Sequence, residues 1–129
     1  MDTLLTGLRA SAPEALPFAR ALHARAFLLE RPAGNVLIGR SDALRGQEAG
    51  VRAAGGATRQ YLGHWHEAAP VSGWAADALG AAVTVHEADA AEAGRLAPVA
   101  ETFSARHRID GDLEVIPIPG HTPGSTAYL

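Results

Sequence analysis

The strongest constraint on the fold lies between Arg59 and Val85. Residues Arg59–Gly63 read as a short strand. Val71, Trp74, Ala75 and Leu79 then fall at i, i+3, i+4 and i+8, on one face of a helix with Ser72 as a cap and Gly80 as its stop. Ala82-Val83-Thr84-Val85 follows as a second strand. Strand, helix and strand within about thirty residues make a βαβ unit. Such a unit pairs its strands in parallel through a right-handed crossover, so the chain reads as α/β.

The flanking segments supply turns and further strands. Apolar content rises from Leu22 to Glu30, peaking at Ala26-Phe27-Leu28-Leu29. Arg31-Pro32-Ala33-Gly34-Asn35 reads as a turn into Val36-Leu37-Ile38, which predicts an antiparallel hairpin. Ser41 or Asp42 caps a predicted helix to about Ala54, which Gly46 and Gly50 each weaken by about 1 kcal/mol. Asp110-Gly111 signals a hairpin turn into Leu113–Ile118. Pro117 places that strand at an edge or marks its end. Pro119–Thr126 is loop by composition. Signals in residues 1–20 are weak, and Pro13 and Pro17 break any long helix there.

A length of 129 residues predicts one domain over 1–129. A net charge of −3, with the arginines scattered, argues against a nucleic-acid partner. The absence of cysteine excludes disulfides, thiolate metal sites and cysteine nucleophiles. Arg9, Glu14, Arg20 and Arg25 interrupt the N-terminal region, which predicts no signal peptide, no membrane span and a cytoplasmic location.

Two clusters carry chemistry. The first is Gly63-His64-Trp65-His66-Glu67. In an extended segment His64 and His66 project to one side, where two neutral imidazoles can chelate one zinc at about 2.0–2.1 Å. The cluster follows a predicted parallel strand, the end at which open α/β sheets bind ligands. The alternative is two surface histidines beside a tryptophan anchor. The second cluster is Pro119-Gly120-His121-Thr122-Pro123-Gly124-Ser125, whose glycines and prolines fix the backbone around His121. Its alternative is a turn with an incidental histidine.

Together these residues resemble the metallo-β-lactamase superfamily. Pro-Gly-His-Thr-Pro-Gly-Ser after an apolar strand is similar to its third-histidine motif. His64-Trp65-His66 is similar to the first half of its His-x-His-x-Asp-His motif. The resemblance spans roughly residues 22–129. It implies a half αββα sandwich, a mixed β-sheet with helices on one face, corresponding to the N-terminal part of the family fold. It also implies one zinc on His64, His66 and His121, and a hydrolase that activates water on a small-molecule thioester, lactone, amide or phosphoester. The departures are specific. Ala68 and Ala69 stand where the family places Asp and His for a second metal, and Gly63 stands where it usually has Thr. Ser41-Asp42-Ala43 replaces an acidic-glycine turn. The later strands, bridging Asp and final His of the family have no counterpart in the sequence. A catalytically inactive binding or structural module is therefore the alternative to an enzyme, and no general base is assigned.

Half a sandwich predicts a bare sheet face, and with it a homodimer packed sheet to sheet. Glu67, Glu87 and Asp89 are the carboxylates near enough in sequence to support the histidines. His86 is expected to be structural, His23 and His107 to be surface residues, and Trp65 and Trp74 to pack between helix and sheet.

Overall fold

The computed structural model describes all of residues 1–129. The first third holds β1 (Asp2–Leu5), β2 (Leu8–Ala10), β3 (Glu14–Leu16), β4 (Ala19–Ala24), β5 (Phe27–Leu29) and β6 (Val36–Ile38). There follow α1 (Glu48–Ala53), β7 (Arg59–Tyr61), α2 (Pro70–Leu79), β8 (Ala82–His86), α3 (Ala90–Gly94) and β9 (Val99–Phe103). The chain closes with β10 (His107–Ile109), β11 (Leu113–Pro117) and β12 (Thr126–Tyr128).

A seven-stranded mixed sheet runs in the order β1-β2-β5-β6-β7-β8-β9. Its first half is antiparallel, and β6 through β9 are parallel. Ile38 pairs with Tyr61, and Tyr61 with Thr84, so β6 and β7 end level and β8 runs two residues further at the same end of the sheet. The loops that leave this end begin at Gly39, Leu62 and Glu87, and the last two carry the candidate chemistry.

Alternation along the strands sorts the core. On one face Leu28 and Leu37 pack with Val51, Val71, Ala75 and Leu79 of the helices. Leu62, Val83 and Val85 pack with Ala93 and Ala97 beside them. The helices thus cover one face, as the resemblance implies. On the other face Val36 and Tyr61 meet Leu113, with Phe103, Ile109 and Tyr128 around them. Leu113 and Tyr128 belong to a separate sheet in the order β10-β11-β12. The second face is therefore not bare, because the Asp110-Gly111 turn folds β10 and β11 back over it. Asp110 (φ 52°) and Gly111 (φ 80°) both take left-handed backbone, as a tight hairpin turn requires. The buried Arg31 guanidinium pins that turn, bonding Asp110 at 2.9 Å and Asp112 at 2.6 Å. These contacts raise the Arg31 pKa, the Asp112 hydrogen bond most, against the opposing effect of burial.

Several local readings change. α2 starts at Pro70, with Ala69 before it, so Ser72 lies inside the helix and does not cap it. Proline fits the first helical position because its missing N–H has no partner there. The helix expected from Ser41 to Ala54 is split into a 3-10 segment, Asp42–Gln47, and α1. Ser41 does cap it, its hydroxyl accepting from the Ala43 N–H at 3.3 Å. β1 to β4 occupy a region whose sequence signals are weak, and β3 and β4 form a two-stranded hairpin of their own. No helix is long and apolar enough to cross a membrane.

Leu28 is 0% exposed and Leu22, on the β3–β4 hairpin, is 58% exposed. Leu28→Ala is expected to cost about 2–5 kcal/mol in urea unfolding. Leu22→Ala is expected to change stability by no more than about 0.5 kcal/mol.

Candidate metal centre

Beyond β7 the buried Leu62 donates its N–H to Thr84 O at 3.1 Å, which keeps the chain beside β8 for one more residue. His64 is extended (φ −170°, ψ 166°), and Trp65–Glu67 then turns as a 3-10 segment. His64 and His66 thus converge through a turn and not along a straight strand, as the spacing alone suggested. His121 reaches them from the β11–β12 loop. One nitrogen from each of His64, His66 and His121 can be chosen so that all lie within 4.8 Å of one another. His66 Nδ1 and His121 Nε2 are 3.1 Å apart. Two imidazole nitrogens bound tetrahedrally to one ion at 2.0–2.1 Å stand about 3.3–3.4 Å apart. The donor set and spacing fit one metal ion. Burial, then the neighbouring His121 and His66, lowers the His64 pKa and favours the neutral imidazole that a metal requires.

The side chain that joins the two histidine segments is Asp89, at the 3-10 turn after β8. It is 1% exposed. Its Oδ2 accepts from the Trp65 N–H at 3.0 Å and from the Thr122 hydroxyl at 2.5 Å. Its Oδ1 accepts from the Gly124 N–H at 2.8 Å. A Cβ on Gly124 would sit 2.6 Å from Asp89 Cγ, so only glycine fits there. The Thr126 N–H adds a backbone link to Gly63 O at 2.8 Å.

Glu67 folds back under the turn, its Oε2 accepting from the Gly63 N–H at 2.6 Å. Its Oε1 lies 3.8 Å from His64 Nδ1, too far for a hydrogen bond. Burial raises the Glu67 pKa, against the Gly63 N–H and Arg40, which lower it. Glu67 lines an open cleft of about 400 Å³ with His64 and His121. It also lines a groove of about 280 Å³ that runs from His64 and His66 to Phe18 and Arg40.

Ala68 and Ala69 are buried in the two helix-side cores, so the second-metal positions offer no donor. Glu87 is exposed, and of the three nearby carboxylates Glu67 and Asp89 reach the site. His86 has the structural role expected: its Nδ1 accepts from the Ala88 N–H at 3.1 Å, and its ring packs on Phe103. His23 and His107 are exposed on strands. Trp65 packs against the Leu62–Val85 cluster, with its ring 3.9 Å from that of His66. Trp74 packs against the α1–α2 core beneath Arg45.

Solved structures with the same course of the chain decide the fold. TTHA1623, in a di-iron-bound form, superposes at a TM-score of 0.67 with 27% identity, over 91% of this chain and 65% of its own. A Cronobacter sakazakii metallo-β-lactamase with a HARLDQ motif gives 0.69 at 21% identity, over 98% of this chain and 58% of its own. The chain has a metallo-β-lactamase fold. FIM-1 from Pseudomonas aeruginosa, a metallo-β-lactamase in mono-zinc form, gives 0.74 at 13% identity, over 98% of this chain and 62% of its own. The chain therefore spans about three-fifths of the length of these metallo-β-lactamase-fold structures. No family model and no curated protein matches the sequence.

The raised Glu67 pKa sets a pH signature. A carboxyl whose folded pKa exceeds its unfolded value of 4.5 adds stability below 4.5 that is lost as pH rises through the folded pKa. The stability of the wild type relative to Glu67→Gln should therefore be constant below pH 4.5 and decline above it. Urea titrations of both proteins across acid and neutral pH measure the difference; a difference that rises with pH contradicts the placement.

Proposed function

We propose that this chain is a metal-dependent hydrolase that holds a single zinc on His64, His66 and His121 to activate water. The observation that carries the reading is the convergence of three imidazoles from two separate loops. Surface histidines that serve no common purpose have no reason to meet within 4.8 Å. Ala68 and Ala69, which offer no donor atom, support one metal over two. A zinc ion with an open fourth position supplies Lewis acidity and makes hydroxide available at neutral pH.

The protein's own share is orientation and shape. The β7–α2 turn and the β11–β12 loop bring the three rings together, with His64 and His121 lining an open cleft and His64 and His66 lining a neighbouring groove. The groove toward Leu16, Phe18 and Ala24 offers apolar walls, with Arg25 and Arg40 beside them. Those walls, and the β-lactamase names of the fold neighbours, favour a small acyl compound such as a thioester, lactone or amide. A non-catalytic binding module is the second reading, favoured by the loss of the motif Asp at Ala68. The two are separated by assaying generic ester and thioester substrates with added zinc. The hydrolase reading expects cleavage that a chelator removes and His121→Ala reduces to background. A folded, zinc-loaded protein without turnover supports the binding module.

The homodimer expected from the sequence is likewise a proposal. β12 is an outer strand of its sheet, and beside it Leu8, Phe27, Ile38 and Tyr128 line an open apolar groove. Two copies meeting about a two-fold axis there would cover both grooves. Native mass at micromolar concentration is expected to be twice the chain mass of 13.4 kDa; a monomer contradicts it.

A further inference from the structure

We infer that Asp89 is a positioning residue for the metal, setting the spacing of His66 and His121 without touching the ion. The inference rests on the metal-binding reading above and adds a residue to it. Asp89 is the one side chain hydrogen-bonded to both histidine segments. Trp65, whose N–H it accepts, lies between His64 and His66 in the chain. Thr122, whose hydroxyl it accepts, follows His121 directly. Gly124 closes the same loop onto the other oxygen. Each oxygen of a carboxylate can accept from more than one donor, and donors to an ionised acceptor bind more strongly than to a neutral one.

Asparagine has nearly the same shape but one acceptor oxygen. If that oxygen faces Trp65 and Thr122, the amide NH₂ faces the Gly124 N–H. If it faces Gly124, the NH₂ faces the Trp65 N–H. Either way two donors oppose each other at a buried point, and one loop moves relative to the other. Thr122 offers a milder cut, since valine keeps its shape and loses the donated bond.

The test is the zinc dissociation constant, read by competition with a chromogenic chelator on metal-free protein whose circular dichroism shows it folded. Asp89→Asn should weaken zinc about 10–100-fold, the usual effect of losing a partner that orients metal ligands. Thr122→Val should weaken it severalfold, and Asp77→Asn, on the exposed side of α2, should leave it unchanged. If Asp89→Asn does not fold, Thr122→Val carries the test. A purely structural Asp89 would lower the melting temperature yet leave the zinc constant of folded protein within about twofold, and that result overturns the inference alone. A wild type that takes up no zinc overturns the metal-binding reading together with it.

Discussion

A carboxylate at 1% exposure is costly to bury unless every lone pair facing the protein finds a donor. Asp89 meets that condition with Trp65, Thr122 and Gly124, and the rest of the site depends on this set of bonds. They exist because β7 and β8 are parallel neighbours, so that the turns after both strands leave from the same end of the sheet. The third segment arrives because β11 and β12 pair with Pro117 opposite Thr126, leaving Ile118–Ser125 as a loop over the same end. Gly124 is dictated by contact: any side chain there would overlap the carboxylate it must bond.

The histidines inherit this order. Three rings from two loops are brought together by backbone that the sheet and one buried acid hold, so little of their arrangement depends on the rings themselves. Alanine at 68 and 69 turns what the resemblance marks as a second-metal position into core, Ala68 beneath Trp65 and Ala69 at the start of α2. Glu67 takes the inward direction at this turn, and its bond to the Gly63 N–H fixes the start of the turn. The result is a set of three imidazoles that could hold one metal ion, two of which, His64 and His66, also line the groove toward Phe18.

Much of this was legible because it is local. The 3.6-residue spacing from Val71 to Leu79 and the flanking strands defined α2 and its parallel neighbours. Asp110-Gly111 located a hairpin by turn chemistry, and the glycines and prolines around His121 marked a constrained loop. β1 to β4 escaped because they are three to six residues long, and β1 and β4 are largely exposed, so no buried face long enough to show alternation is present. β12 was hidden behind a loop composition, and its pairing is set by β11. Asp89 was visible only as a nearby acid: its role needs the adjacency of β7 and β8 and the return of the β11–β12 loop. Glu67 too is visible in the sequence only as a nearby acid; its bond to the Gly63 N–H follows from the turn that folds it back.

X-ray diffraction from zinc-loaded crystals, with anomalous data collected at the zinc edge, tests the central claim most directly. The account predicts one peak per chain, about 2.0–2.1 Å from a nitrogen of each of His64, His66 and His121, with no second peak near Ala68 and Ala69. No peak among the three rings, or two peaks bridged across them, would contradict it.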